Sequence, residues 1–76
     1  METIYGDFNN IDVHYRVRLD TFKTIADIEE KAIKLVPGME IIIDDNDSLR
    51  VKGIVQYSQE ENVWVVEFKY EDVIHF

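Results

Sequence analysis

Between Ile11 and Leu19 apolar and polar residues alternate. Ile11, Val13, Tyr15, Val17 and Leu19 fall on one side, and Asp12, His14, Arg16 and Arg18 on the other. Period two with β-branched and aromatic side chains on one face predicts a half-buried strand. The turn-forming run Gly6-Asp7-Phe8-Asn9-Asn10 precedes it, so Thr3-Ile4-Tyr5 reads as a short first strand joined to it in a hairpin. The period then lengthens. Ile25, Ile28, Ala32 and Leu35 share one helical face, widened by Ile33 and Val36. Thr24 reads as the N-cap, with Asp27 in a capping-box-like position. Asp27 with Lys31, and Glu30 with Lys34, are i,i+4 pairs in the favourable order. Pro37 disfavours helix at Val36, and Gly38 completes the stop.

Alternation returns after Gly38. Met39, Ile41 and Ile43 form one face of a strand, followed by the turn Asp44-Asp45-Asn46-Asp47-Ser48. Leu49, Val51, Gly53, Val55 and Tyr57 form the core face of the next strand. Gln59-Glu60-Glu61-Asn62 is a second turn, and Trp64, Val66, Phe68 and Tyr70 form the core face of a third strand. A four-residue loop over 59–62 sets Tyr57 opposite Trp64, Val55 opposite Val66 and Val51 opposite Tyr70, with Phe68 over Gly53. A three-residue loop would put Trp64 opposite Gln56 and Phe68 opposite Lys52, mixing the faces. Val73 to Phe76 reads as a last short strand.

The expected fold is therefore α+β, one domain over residues 1–76. A small curled antiparallel β-sheet, in the order β-β-α-β-β-β, carries one packed helix. The layout is similar to a β-grasp, and its C-terminal part resembles a small SH3-like barrel. Neither likeness carries a function.

Charge changes the picture most. Sixteen Asp and Glu stand against eight Lys and Arg, for a formal charge of −8. Polyphosphate is repelled by such a chain, so direct nucleic-acid binding is not expected. With 46% apolar residues, the high charge does not signal disorder. No cysteine is present, which removes disulfides and thiolate metal sites. Met1 to Gly6 lacks a basic and then apolar leader, and no apolar run is long enough to span a bilayer. A cytoplasmic protein without a membrane partner is the expectation.

The catalytic inventory is thin. His14 and His75 are the only histidines, the side chain most often used as a general base, and neither has Ser or Asp at motif spacing. Ser48 and Ser58 sit at turns outside any G-x-S-x-G. Asp44, Asn46 and Ser48 begin like a calcium loop, but Leu49 stands where the EF-hand needs Gly, and Val55 where it needs Glu. Gly6, Gly38 and Gly53 are isolated, so no phosphate-binding loop is present. No enzyme, cofactor or metal is expected.

Two surfaces are candidates for a protein partner. The acidic turns present Asp44, Asp45, Asp47, Glu60 and Glu61, suited to a basic partner. The outer side of the sheet combines Arg16, Arg18 and Lys52 with Ile54, Val63 and Val65, an apolar strip that asks to be covered. The expected function is a non-enzymatic protein-binding module. In size, acidity and lack of a catalytic kit the chain resembles small phage inhibitors, including anti-CRISPR and anti-restriction proteins. That resemblance implies carboxylates standing in for DNA phosphates on a basic nucleic-acid-handling protein. Two alternatives predict different behaviour. A structural protein that forms a homodimer or larger homo-oligomer through the outer face would show a mass above monomer. An oligonucleotide- or nucleotide-binding module built on Arg16, Arg18, Arg50 and Lys52 would respond to added nucleic acid.

Overall fold

The computed structural model describes residues 1–76. Its elements are β1 (Thr3–Tyr5), β2 (Val17–Arg18), α1 (Phe22–Glu30), β3 (Glu40–Asp44), β4 (Leu49–Ser58), β5 (Val63–Glu67), a 3₁₀ turn (Tyr70–Asp72) and β6 (Ile74–His75). They form the expected α+β fold, with one helix beside a six-stranded sheet. The strand order is β1-β3-β4-β5-β2, and β6 pairs with β4 beyond the end of β5. The sheet is mixed, because β1 runs parallel to β3. No helix is long and apolar enough to cross a membrane.

The alternation of the C-terminal half sets the register. Tyr57 pairs with Trp64 and Val55 with Val66. Ile41, Ile43, Val51, Val55 and Val66 are fully buried beside Ile4, Val17 and Leu19, and these eight residues form the core. Two expected pairs do not form. The β4–β5 ladder stops at Ile54 and Glu67, so Tyr70 never meets Val51. Phe68 packs edge-on against Phe8 and Tyr70 instead, with ring centroids 5.8 and 5.1 Å away. The space above Gly53 is taken by the Glu67 carbonyl and a Val66 methyl; a Cβ there would lie 2.5 Å from each. Tyr57 and Trp64 are edge-on at 5.1 Å, but Tyr57 is exposed and Trp64 half-buried, so the pair closes the sheet margin rather than the core.

The N-terminal half departs furthest from the alternation. The expected strand over 11–19 contributes only Val17–Arg18, and β1 and β2 lie at opposite ends of the sheet rather than in a hairpin. The physical reason is Asp12. Its buried carboxylate accepts the backbone N–H of His14 (3.0 Å) and of Arg16 (2.8 Å) and pairs with the Arg16 guanidinium. Those bonds fold residues 12–16 into a tight turn, closed by Asp12 N–H to the Arg16 carbonyl. Tyr15 takes the left-handed conformation there, with φ 62°, the position that glycine prefers in such a turn. Val13 and Tyr15 therefore point into solvent.

The helix starts and stops earlier than its apolar spacing predicts. Thr21 is the N-cap, and its hydroxyl accepts the N–H of Thr24. At the other end Ile33 N–H reaches the Ile28 carbonyl and Ala32 N–H the Glu29 carbonyl. This is a Schellman stop, with Ala32 at φ 53° in the place usually held by glycine. Thr24, Asp27 and Lys31, spaced along one stripe, face β1. Thr24 Oγ1 donates to the Tyr5 carbonyl (2.9 Å), Asp27 Oδ2 accepts Tyr5 N–H (2.8 Å), and Lys31 Nζ donates to the Thr3 carbonyl. Helix side chains thus satisfy the outer backbone edge of β1.

Candidate functional site

The acidic turn between β3 and β4 is built inward. Asp45 Oδ1 accepts the N–H groups of Asp47, Ser48 and Leu49, each at 2.9 Å. Burial works against its charge, but these backbone bonds outweigh it and hold the carboxyl below the usual aspartate range. Asp44, almost fully buried, takes two bonds from the Arg50 guanidinium (3.0 and 2.8 Å) and one from Asn46 N–H. Arg50, and then Asn46, push its pKa down. For Asp12 burial again opposes ionisation and is overcome by the bonds from Arg16 and His14. Of the five acids at the turns, Asp44, Asp45 and Glu61 are engaged by the chain's own groups, Glu61 through Arg18 at 2.7 Å. Glu60 meets His14 Nε2 at 2.9 Å on the surface, and Asp47 has no ion-pair or side-chain hydrogen-bond partner.

The cations are committed as well. Arg16 pairs with Asp12, Arg18 with Glu61, Arg50 with Asp44 and Lys52 with Glu40. Lys31 lies 3.5 Å from Asp27. Lys34 and Lys69 have no ion-pair partner, and Lys23 stands over the Tyr5 ring at 4.4 Å. The unpaired charge at the surface is therefore overwhelmingly acidic. On the outer side of the sheet Ile54 and Val63 are half-buried, but Val65 is completely enclosed within this chain. The outer strip is thus not a continuous exposed surface.

A polar cleft of about 550 Å³ opens beside the β4–β5 turn, lined by His14, Arg16, Tyr57, Ser58, Glu60 and Glu67 among others. A histidine–carboxylate pair is half of a hydrolytic relay. The Ser58 hydroxyl, however, receives the Glu61 N–H (3.3 Å) and has no bond to His14. No three His, Asp or Glu side chains gather to hold a metal ion.

The apolar feature of the surface lies elsewhere. A groove of about 290 Å³ runs between α1 and β5, floored by Leu19, Ile25, Ile28, Leu35, Val63 and Trp64. Asp20, Glu29 and Asn62 complete its lining, and no cation lines it. Phe22 is 89% exposed and Ile25 43%. Three residues apart on α1, they extend the apolar stripe beyond the groove. The expected acidic turns and outer face do not include this groove, apart from Val63. The signal was present in the spacing of Ile25, Ile28 and Leu35, which reads as an ordinary core-facing stripe. Only the early helix stop, with Thr24 as the one buried helix residue, turns part of that stripe toward solvent.

No protein-family model matches this chain, and no curated protein or solved structure matches it either.

Proposed function

We propose that this protein is a non-enzymatic binding module for a protein partner with a basic surface. One observation carries the reading. All three arginines are neutralised by carboxylates of the same chain, while the remaining excess of acid, −8 overall, stays at the surface. Such a surface attracts cationic partners and speeds their encounter. Inhibition of a basic nucleic-acid-handling protein is one use of it, in keeping with an expected cytoplasmic setting. The phosphate-mimic version draws on Asp47 and Glu60 among the turn acids, since Asp44, Asp45 and Glu61 are bound internally. The nucleotide-binding alternative is less favoured, because Arg16, Arg18, Arg50 and Lys52 each already have a carboxylate within 4 Å.

The test is affinity capture on the immobilised full chain, with bound host proteins released by a salt gradient and identified by mass spectrometry. Specifically retained proteins of high isoelectric point, released progressively by salt, support the reading. Retention of neutral or acidic partners that salt does not release would overturn it.

A further inference from the structure

The geometry points to the groove between α1 and β5 as the docking site for a basic amphipathic segment, one that inserts an apolar side chain and sets lysines or arginines against Asp20 and Glu29. This inference rests on the reading of the protein as an acidic binding module and names the place where the partner is held.

Three features single out the groove. Its floor is apolar and partly open, with Trp64, Ile28 and Val63 half-buried and Ile25 more exposed. Exposed apolar residues stand beside it in the chain, Phe22 one helical turn before Ile25 and Val36 next to Leu35. Scattered surface apolars are ordinary, but a contiguous patch that includes aromatic residues is what interfaces use as anchors. Both charged side chains that line it are acidic.

Charge selects the occupant. A second copy of this chain would bring another −8 and the same acidic flank, so self-association through the groove is opposed. An anionic lipid surface or a nucleic acid is opposed for the same reason. A cationic segment with one apolar face satisfies floor and rim together. Its apolar side chain leaves water against Trp64 and Ile25, and its cations meet carboxylates that make no direct ion pair: Asp20 takes the Asn10 side-chain amide (2.6 Å) and feels Arg18 only through space, and Glu29 takes no side-chain bond.

Trp64 is the only tryptophan, so its emission reports directly on the site. The full chain is titrated with three synthetic peptides of equal length: an amphipathic Lys/Leu peptide, an all-lysine peptide and an amphipathic Glu/Leu peptide. The Lys/Leu peptide should bind saturably and shift Trp64 emission to shorter wavelength. The all-lysine peptide should bind weakly without the shift, and the Glu/Leu peptide should not bind. Ile25→Ser should weaken Lys/Leu binding by about tenfold, the order expected for an interface anchor. Phe22→Ser, at a position too exposed to affect folding, should weaken it as well. The pair Asp20→Asn and Glu29→Gln should weaken it and flatten its salt dependence. Circular dichroism confirms that each variant is folded.

If both cationic peptides bind the native chain and the Ile25→Ser and Phe22→Ser variants alike, with Trp64 unmoved, the groove assignment is overturned and the basic-partner reading survives. Equal binding of the Lys/Leu and Glu/Leu peptides overturns the charge selection. If neither cationic peptide binds at low salt, the reading of a basic partner falls, and the groove assignment with it.

Discussion

Asp45→Ala separates a structural carboxylate from one displayed to a partner. In the native turn Asp45 Oδ1 accepts three backbone N–H groups at 2.9 Å. A side-chain acceptor of this kind at a helix start is worth about 0.5–2 kcal/mol. Here the acceptor is charged and serves three donors, two of them on the half-buried residues Ser48 and Leu49. The third, on Asp47, is exposed and regains water. The expected cost of Asp45→Ala is therefore about 2 kcal/mol. Asp45→Asn keeps an oxygen in place but loses the charge, for about 1 kcal/mol. A chain of this size has a total stability of about 4–11 kcal/mol, and each kcal/mol moves the midpoint by roughly 4–8 °C. Asp45→Ala should then melt about 8–16 °C below the native protein, and Asp45→Asn about half as far. Asp47→Ala, two residues on, should stay within about 0.5 kcal/mol of native. Thermal and urea unfolding followed by far-UV circular dichroism measure all three. If Asp45→Ala is as stable as Asp47→Ala, the inward reading of this turn is wrong, and Asp45 is available as a contact residue.

Acid should destabilise the protein through the same group of residues. Asp12, Asp44 and Asp45 have lowered pKa values in the folded chain, so between those values and the unfolded value of about 3.9 the unfolded chain binds more protons. Their contribution is complete above that value and is lost as pH falls through the folded values. Urea midpoints measured against pH should show this, with the acid limb flattened in Asp45→Asn. Tyr15→Gly and Ala32→Gly relieve left-handed backbone at φ 62° and 53°, and each should raise the urea midpoint by about 1 kcal/mol equivalent. Gly53→Ala drives a methyl to 2.5 Å from the Glu67 carbonyl and should cost about 1–3 kcal/mol in the same measurement. Val65→Glu buries an unpaired carboxylate where no side-chain surface is open; its proton NMR spectrum should lose native dispersion, and a dispersed spectrum would refute the burial.

The β4–β5 register was legible because strict alternation and an even loop leave one arrangement in which Val55 and Val66 share a face. The helix end was not, because the stop at Ala32 uses a residue that seldom takes left-handed backbone, while Pro37 and Gly38 offer a louder signal downstream. The alternation over 11–19 misleads for a related reason. A single side chain, Asp12, supplies two local hydrogen bonds that outcompete the ladder, and period-two patterning carries no trace of them. The parallel partner of β1 lies some forty residues away in sequence, where no local propensity reaches. The acidic turns were legible as charge, but not the direction of that charge. Whether Asp44 or Glu61 faces a partner or its own arginine depends on which strands become neighbours. The groove was hidden because Ile25 and Ile28 look the same on a core-facing helix and on one that leaves its flank open.

The helix also determines what other chains see. β1 lies at the end of the sheet, and its outward backbone groups on Thr3 and Tyr5 are met by Lys31, Thr24 and Asp27 rather than by a neighbouring strand. Within α1 only Thr24 is fully buried, while Ile28 packs half-buried against the eight-residue core. Without the helix β1 would present an unpaired strand edge, a template on which a strand from another molecule can add. The three polar contacts therefore cover an open edge as well as hold the helix to the sheet.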